Sequence, residues 1–319
     1  MSTRLPRAVF TLSLDFELIW GTLDLFGPDG FGEACRVERR EVVDRLLALF
    51  VEFEVRATWL VVGHLFLERC DTPRHPEIVR PAHAWHPDDW FRHDPGGDED
   101  QAPAFLARSL VGRVRACPVP QEIGGHSFSH VIYGDEGCSR AAAESDLDAL
   151  VAAASGMGLT LRSFSFPRNR VGHADALVPR GFRVFRSPEP TAYGDLRWAA
   201  PRRLGHLADV LLARTPPVVL PERRKDGLVA VPGSMVYFPM HGLRRFVPMA
   251  LRLRRARKGL LAAVREGRVF HLWTHPTNLG EHTESMFGGL RTILEEMADL
   301  RARGALEVRT LGELAEVPA

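Results

Sequence analysis

Two histidines four residues apart, His126 and His130, follow the run Glu122-Ile123-Gly124-Gly125. At helical spacing both imidazoles stand on one face and can reach one ion. Neutral imidazole suits zinc and similar divalent cations. The glycines ahead of the pair predict a sharp passage from strand to turn. Ordinary structural histidines remain the alternative for this spacing alone.

Three further groups have the chemistry to join them. Ser13-Leu14-Asp15-Phe16-Glu17 closes an apolar segment. In an extended chain, residues two apart share a side, so Asp15 and Glu17 face together while Leu14 and Phe16 face the other way. Paired carboxylates of this kind can divide between holding a cation and accepting a proton. His271-Leu272-Trp273-Thr274-His275 ends a second apolar segment and runs on to Asn278, which puts His275 where a strand gives way to a rim. Phe164-Ser165-Phe166-Pro167-Arg168-Asn169 projects an arginine beyond a third, where Arg168 can hold a carboxylate or a substrate oxygen. Each has a plain alternative: a solvated strand end, a hydrogen-bonded core histidine, a surface arginine in a turn.

The elements that must position these residues alternate. Strands are predicted over 9–15, 56–62, 121–124, 163–166, 182–185, 228–231, 235–238, 269–274 and 306–308. Helices are predicted over 37–53, 104–115, 139–154, 244–266 and 284–303. Repeated strand–helix units with apolar strands predict a parallel α/β architecture. No glycine-rich phosphate fingerprint follows the first strand, which argues against a nucleotide-binding sheet. Residues 68–101, rich in Pro, His, Asp and Gly, read as a long loop insertion in a single domain spanning 1–319. Its Trp85, Trp90 and Phe91 offer either stacking surface or packing.

Composition narrows the setting. The 319 residues are 45% hydrophobic and 25% charged, with 41 basic against 40 acidic side chains and a net charge of +1. That balance gives no reason to expect a nucleic-acid partner. No run approaches the roughly 20 apolar residues of a membrane span. Neither an apolar leader nor a cleavage motif is evident near Met1. Cys35, Cys70, Cys117 and Cys138 form no Cys-x-x-Cys pair, which argues against a disulfide framework and against a thiolate zinc site. Reduced cysteines fit a cytoplasmic protein. The basic stretch Leu251 to Lys258 reads as an amphipathic helix with a solvated face, or as one able to lie on a membrane surface.

In sequential order, the Asp15 strand, Ala57-Thr58-Trp59-Leu60-Val61-Val62-Gly63, Glu122-Ile123-Gly124-Gly125-His126-Ser127-Phe128-Ser129-His130 and Leu272-Trp273-Thr274-His275 resemble the polysaccharide deacetylase (NodB-homology) family, also called carbohydrate esterase family 4. The resemblance runs from about residue 9 to 310. It implies an irregular (β/α) barrel of about seven strands and a metal-dependent hydrolase that removes an N-acyl group from a sugar. It further implies His126 and His130 as metal ligands, Asp15 as catalytic base and His275 as catalytic acid. Zinc is the expected cofactor. An N-acylated sugar or a lipid-linked glycan precursor is the expected partner.

The chain departs from the family pattern at three places. Phe16 stands where a metal-binding Asp is usual, and Glu17 is the carboxylate that returns to the side of Asp15. Ser165 replaces an arginine and Arg168 a tyrosine; Arg168 or a backbone N–H is the expected helper at the oxyanion. No Asp-Trp element supporting the catalytic histidine is found. Two alternatives accompany these departures. One is a deformylase or small cyclic amide hydrolase; the other is an inactive carbohydrate-binding relative.

Overall fold

The structure, a computed structural model, describes residues 4–28, 32–191, 205 and 208–317. Its twelve described strands are β1 (Ala8–Phe16), β2 (Thr58–Val61), β3 (Arg69–Cys70), β4 (Gly97–Asp98), β5 (Glu122–Gly125), β6 (Ser163–Ser165), β7 (Val184–Ser187), β8 (Glu222–Arg223), β9 (Val229–Pro232), β10 (Met235–Val236), β11 (Val269–Thr274) and β12 (Leu306–Val308). Seven of them run parallel in the order β11-β1-β2-β5-β6-β7-β9. This curled sheet is the parallel α/β architecture expected from the alternation, and it has the form of the irregular barrel that the resemblance implied. All nine residues of β1 are buried, as a strand covered on both faces requires.

The sheet's two ends are joined by one short segment rather than by a ladder. Beyond β9, Gly233 donates its N–H to Ser187 and Ser234 donates to His271. The chain then enters β10, which lies against β11. On the other side of β1, β12 covers the first part and β2 the last, so β1 is paired along its length.

Helices Val43–Glu52, Arg108–Arg115, Arg140–Ser155, Met249–Glu266 and Thr283–Ala302 wrap the outside. Three boundaries differ from the sequence reading for physical reasons. The segment predicted from 37 passes through a π turn at Glu38–Val42 before the α-helix, with Glu38 buried. The helix predicted from 104 starts at Arg108. Pro248 separates a short 3-10 turn, Gly242–Phe246, from the long basic helix. The face of that helix is not simply solvated. Arg252 and Arg255 are buried and donate to the carbonyls of Phe238, Arg244 and Arg214, and Lys258 donates to Ala213. Among the described residues, no helix is long and apolar enough to cross a membrane.

The 68–101 insertion is a loop closed by a small antiparallel hairpin, Cys70 facing Gly97. Its rings divide in role. Trp90 and Phe91 are buried, and Trp90 donates its indole N–H to the Ser129 carbonyl. Trp85 alone keeps an open face, at 41% exposure.

The helix after β5 shapes the histidine segment. Ser139 caps it, accepting from the N–H of Ala142. From its interior, Asp146 accepts from Ser127 Oγ (2.7 Å), the Phe128 N–H (2.8 Å), the Ser129 N–H (3.2 Å) and Tyr133 Oη. Residues 126–130 therefore form a loop, not the helical turn that i, i+4 spacing predicted. Ser127 and His130 both have φ of 63°, a left-handed conformation that the surrounding bonds must hold in place. Gly124 and Gly125 lie within β5, where they serve close packing rather than a turn. A Cβ on Gly124 would stand 2.6 Å from the Ser163 carbonyl.

Replacing Asp146 by Ala strands several buried donors at once. We expect Asp146→Ala to cost about 3 kcal/mol or more in urea unfolding, because each unmet buried group costs roughly 1–3 kcal/mol. A loss below about 1 kcal/mol would show that the loop holds its shape without the carboxylate.

Candidate metal and catalytic site

Asp15 and Glu17 emerge together at the C-terminal end of β1, and His126, Ser165, Arg186 and His275 come to the same mouth from β5, β6, β7 and β11. Carboxyl ends of parallel strands are where such barrels present reacting groups. Glu17 Oε1 lies 2.8 Å from His126 Nε2 and 3.3 Å from His130 Nε2. His275 Nε2 stands 3.6 Å from the same oxygen and 3.7 Å from Asp15 Oδ2. Phe16 points the other way, edge-on to Trp59 in the core, as strand alternation predicted. Gly21 makes room for Glu17: a Cβ there would come within 1.7 Å of Glu17 Oε2.

Glu17, His126 and His130 have the donor set and the proton arrangement of a cation site. His126 Nδ1 faces the Ser165 carbonyl at 2.8 Å, and a carbonyl only accepts. Ser165 Oγ gives its own proton to Asp15 Oδ1 (3.1 Å), so it too accepts from His126 Nδ1. A neutral ring then turns the Nε2 lone pair toward the Glu17 carboxylate. Two lone pairs repel unless a proton or a metal ion supplies positive charge between them. His130 Nδ1, buried, has no hydrogen-bond partner among the described residues.

Electrostatics point the same way. Burial pushes the Glu17 carboxyl up, but His275 and the two other histidines hold it well below the usual carboxylate range. Burial pushes the His126 ring down, and Asp15 and Glu17 more than reverse this. Positive charge is thus demanded at the centre, and a divalent cation supplies it without protonating the rings.

Arg186 is the residue the sequence reading missed. Its guanidinium grips Asp15 with both terminal nitrogens, Nη1 to Oδ1 at 2.8 Å and Nη2 to Oδ2. Burial raises the Asp15 carboxyl, and Arg186 together with His126 and His275 more than offsets this, so Asp15 stays ionised. Ser165 pairs with Arg186 in the parallel register of β6 and β7. The guanidinium thus reaches Asp15 from the strand beside Ser165. Arg168 is not brought to the carboxylates. It pairs with Asp24 at 2.6 Å and lies over Trp85, at the outer rim.

The two histidines of β11 separate. His271 is fully buried between Ser13 Oγ (2.8 Å) and the Pro232 carbonyl (3.1 Å), and burial pushes its ring down to about 3. His275 is partly open, with the Asn278 amide 3.4 Å from Nδ1 and Nε2 turned to the carboxylates. Beside it lies a recess of about 220 Å³ whose polar wall includes His241, Thr277, Asn278 and Glu281.

Two outcomes follow. Arg186→Ala leaves Asp15 buried and unpaired, and should cost about 3–5 kcal/mol in chemical denaturation; Asp15→Asn in that background should restore part of the loss. His271 is neutral in the fold, with a folded value below its unfolded value of about 6.5. Between those values the unfolded chain binds a proton that the folded chain does not. Stability should therefore fall as pH drops from about 6.5 toward 3, and His271→Gln should flatten that slope. An unchanged slope would place the ring's proton uptake elsewhere.

No family model and no curated relative matches the sequence. Solved structures do. A Mycobacterium smegmatis protein assigned as a polysaccharide deacetylase aligns over 99% of this chain and 90% of its own, with a TM-score of 0.64 and 15% identity. A Pseudomonas aeruginosa protein of the same assignment covers 96% and 89%, at 0.61 and 11%. Puue allantoinase covers 96% and 88%, at 0.62 and 10%. At these identities the likeness is one of architecture, and the architecture of this chain is the NodB-homology fold of the polysaccharide deacetylases.

Proposed function

We propose that the chain is a metal-dependent hydrolase that removes an N-acyl group, acetyl first among them, from a sugar or glycan precursor. The observation that carries this is the convergence of Glu17, His126 and His130 on one buried point, with Asp15 and His275 at its edge. Glu17, His126 and His130 would hold a divalent cation, with zinc the expected ion for this donor set. Such an ion polarises an acyl carbonyl and lowers the pKa of water.

The chain's own residues divide the rest of the work. Asp15, kept ionised by Arg186, takes the proton of the attacking water as its oxygen bonds to the acyl carbon. Arg186 also fixes the carboxylate's orientation, at the expense of some basicity. The C–N bond then breaks, and His275, doubly protonated for this step, gives its Nε2 proton to the departing amine. The Asn278 side-chain amide beside Nδ1 steadies the ring. The polar recess next to His275 offers partners for sugar hydroxyls. The second reading, a small cyclic amide hydrolase, draws on the equal fold likeness to an allantoinase.

An amine-release screen over N-acetylated sugars and cyclic amides decides between them. His126→Ala/His130→Ala should lower metal content by one ion per chain while the protein stays folded. Glu17→Ala should weaken metal binding, whereas Asp15→Asn should keep the metal and lose turnover. The reverse pattern would exchange the two carboxylates' roles. His275→Ala should retain metal and lower kcat by about 10²- to 10⁴-fold. Metal-loaded protein that turns over none of these substrates would leave only a binding function.

A further inference from the structure

We propose that His64, Cys70, His75 and Asp94 form a second metal site, a closed structural zinc centre that fastens the 68–101 insertion to the barrel. The four come from separate places: His64 from the turn after β2, Cys70 from β3, His75 from the loop beyond it, and Asp94 from the approach to β4. Their donor atoms all lie within 4.8 Å of one another. Asp94 Oδ2 is 3.0 Å from His64 Nε2, 3.2 Å from His75 Nε2 and 3.4 Å from Cys70 Sγ, and Sγ is 3.4 Å from His75 Nε2. Donors around a tetrahedral ion at about 2.0–2.3 Å stand roughly 3.3–3.6 Å apart, so little movement is needed to admit zinc.

The outward atoms are held as a metal site holds them. His64 Nδ1 faces the Phe105 carbonyl at 3.0 Å, His75 Nδ1 faces Glu77 at 3.4 Å, and Asp94 Oδ1 accepts from the Gly96 N–H at 3.0 Å. Carbonyl and carboxylate only accept, so both rings carry their protons outward. Neutral rings then direct two Nε2 lone pairs at one carboxylate oxygen, which is favourable only with positive charge among them. Thiolate, carboxylate, two neutral imidazoles and Zn²⁺ sum to zero charge, as a buried site requires. Thiolate with imidazole selects zinc over magnesium or calcium.

Four protein donors leave no open position, which marks the centre as structural rather than catalytic. Trp20, Phe91 and Phe128 wall it in, with ring centroids 4.6 Å (Trp20–His64), 4.6 Å (His75–Phe91) and 5.3 Å (His75–Phe128) apart. Cys70 and His75 border an open cleft, which gives the ion an access route. The proposed site departs from the sequence reading, which argued against a thiolate zinc site for want of a Cys-x-x-Cys pair. The residues proposed here are one cysteine with two histidines and an aspartate.

The test uses full-length protein purified without chelator. His126→Ala/His130→Ala protein should still hold one zinc per chain, and adding Cys70→Ser should remove it. Reloaded with cobalt, the double variant should show thiolate-to-cobalt charge transfer in the near ultraviolet. That band should survive replacement of Cys35, Cys117 and Cys138 by Ser, which leaves Cys70 as its source even if Cys70→Ser does not fold. Chelation should speed proteolytic cutting within 68–101. A double variant with no zinc and no such cobalt band overturns the site, and neither readout depends on hydrolytic activity.

Discussion

Arg186 is the foremost of the groups that keep Asp15 charged inside this barrel. Moving a carboxylate out of water costs several kcal/mol even after relaxation, and only close, well-hydrogen-bonded pairing offsets it. The pairing here is two-pronged, with Ser165 Oγ adding a third hydrogen bond to Oδ1. The guanidinium is held in turn by the Trp273 ring, 4.3 Å away, and by Asn169. Strands β1, β6, β7 and β11 thus meet through one ion pair. Its demands explain other choices nearby. Position 165 is small where the guanidinium crosses from the next strand, and His271 is neutral because burial disfavours its charge and Arg186 beside it adds repulsion.

Glu17 solves a different problem. With Phe16 spent on the core, the strand offers no second carboxylate next to Asp15. The next residue on the same side lies just past the strand, where the chain turns into a 3-10 segment. Glu has one more methylene than Asp, which lets its carboxylate reach back to His126 and His130 from there. The space it occupies is the space a side chain at Gly21 would fill. Glu17 and Gly21 therefore form one arrangement, a long acid just past the strand with a glycine opposite.

The alternating strands and their apolar fill were readable because period and burial are local properties. Asp15, Glu17, His126, His130 and His275 were readable because each sits at the end of such a strand. What escaped depended on pairing between strands. Arg168 and Arg186 both follow short apolar strands, and only the register of 165 with 186 shows which one faces Asp15. The 126–130 segment was read as a helical turn because spacing alone does not show that Asp146, sixteen residues past His130, gathers its donors. The insertion hid its ligands for the same reason. His64 and Asp94 are thirty residues apart and meet only after the hairpin forms.

The histidine loop is constrained from two sides, and this links the candidate site to the insertion. Asp146 draws the backbone of Phe128 and Ser129 toward the outer helix, while Trp90 binds the Ser129 carbonyl from the insertion. Phe128 itself lies against the rings of His64 and His75. Left-handed backbone at Ser127 and His130 costs of order 1–3 kcal/mol each and persists only where surroundings overdetermine it. The aim of two imidazoles at Glu17 depends on that backbone. Precision at the barrel mouth therefore rests on how firmly the 68–101 segment is held, even though none of its residues touches Glu17 among the described contacts. A loop that merely covered the barrel could vary freely, whereas this one forms part of the support for the two imidazoles.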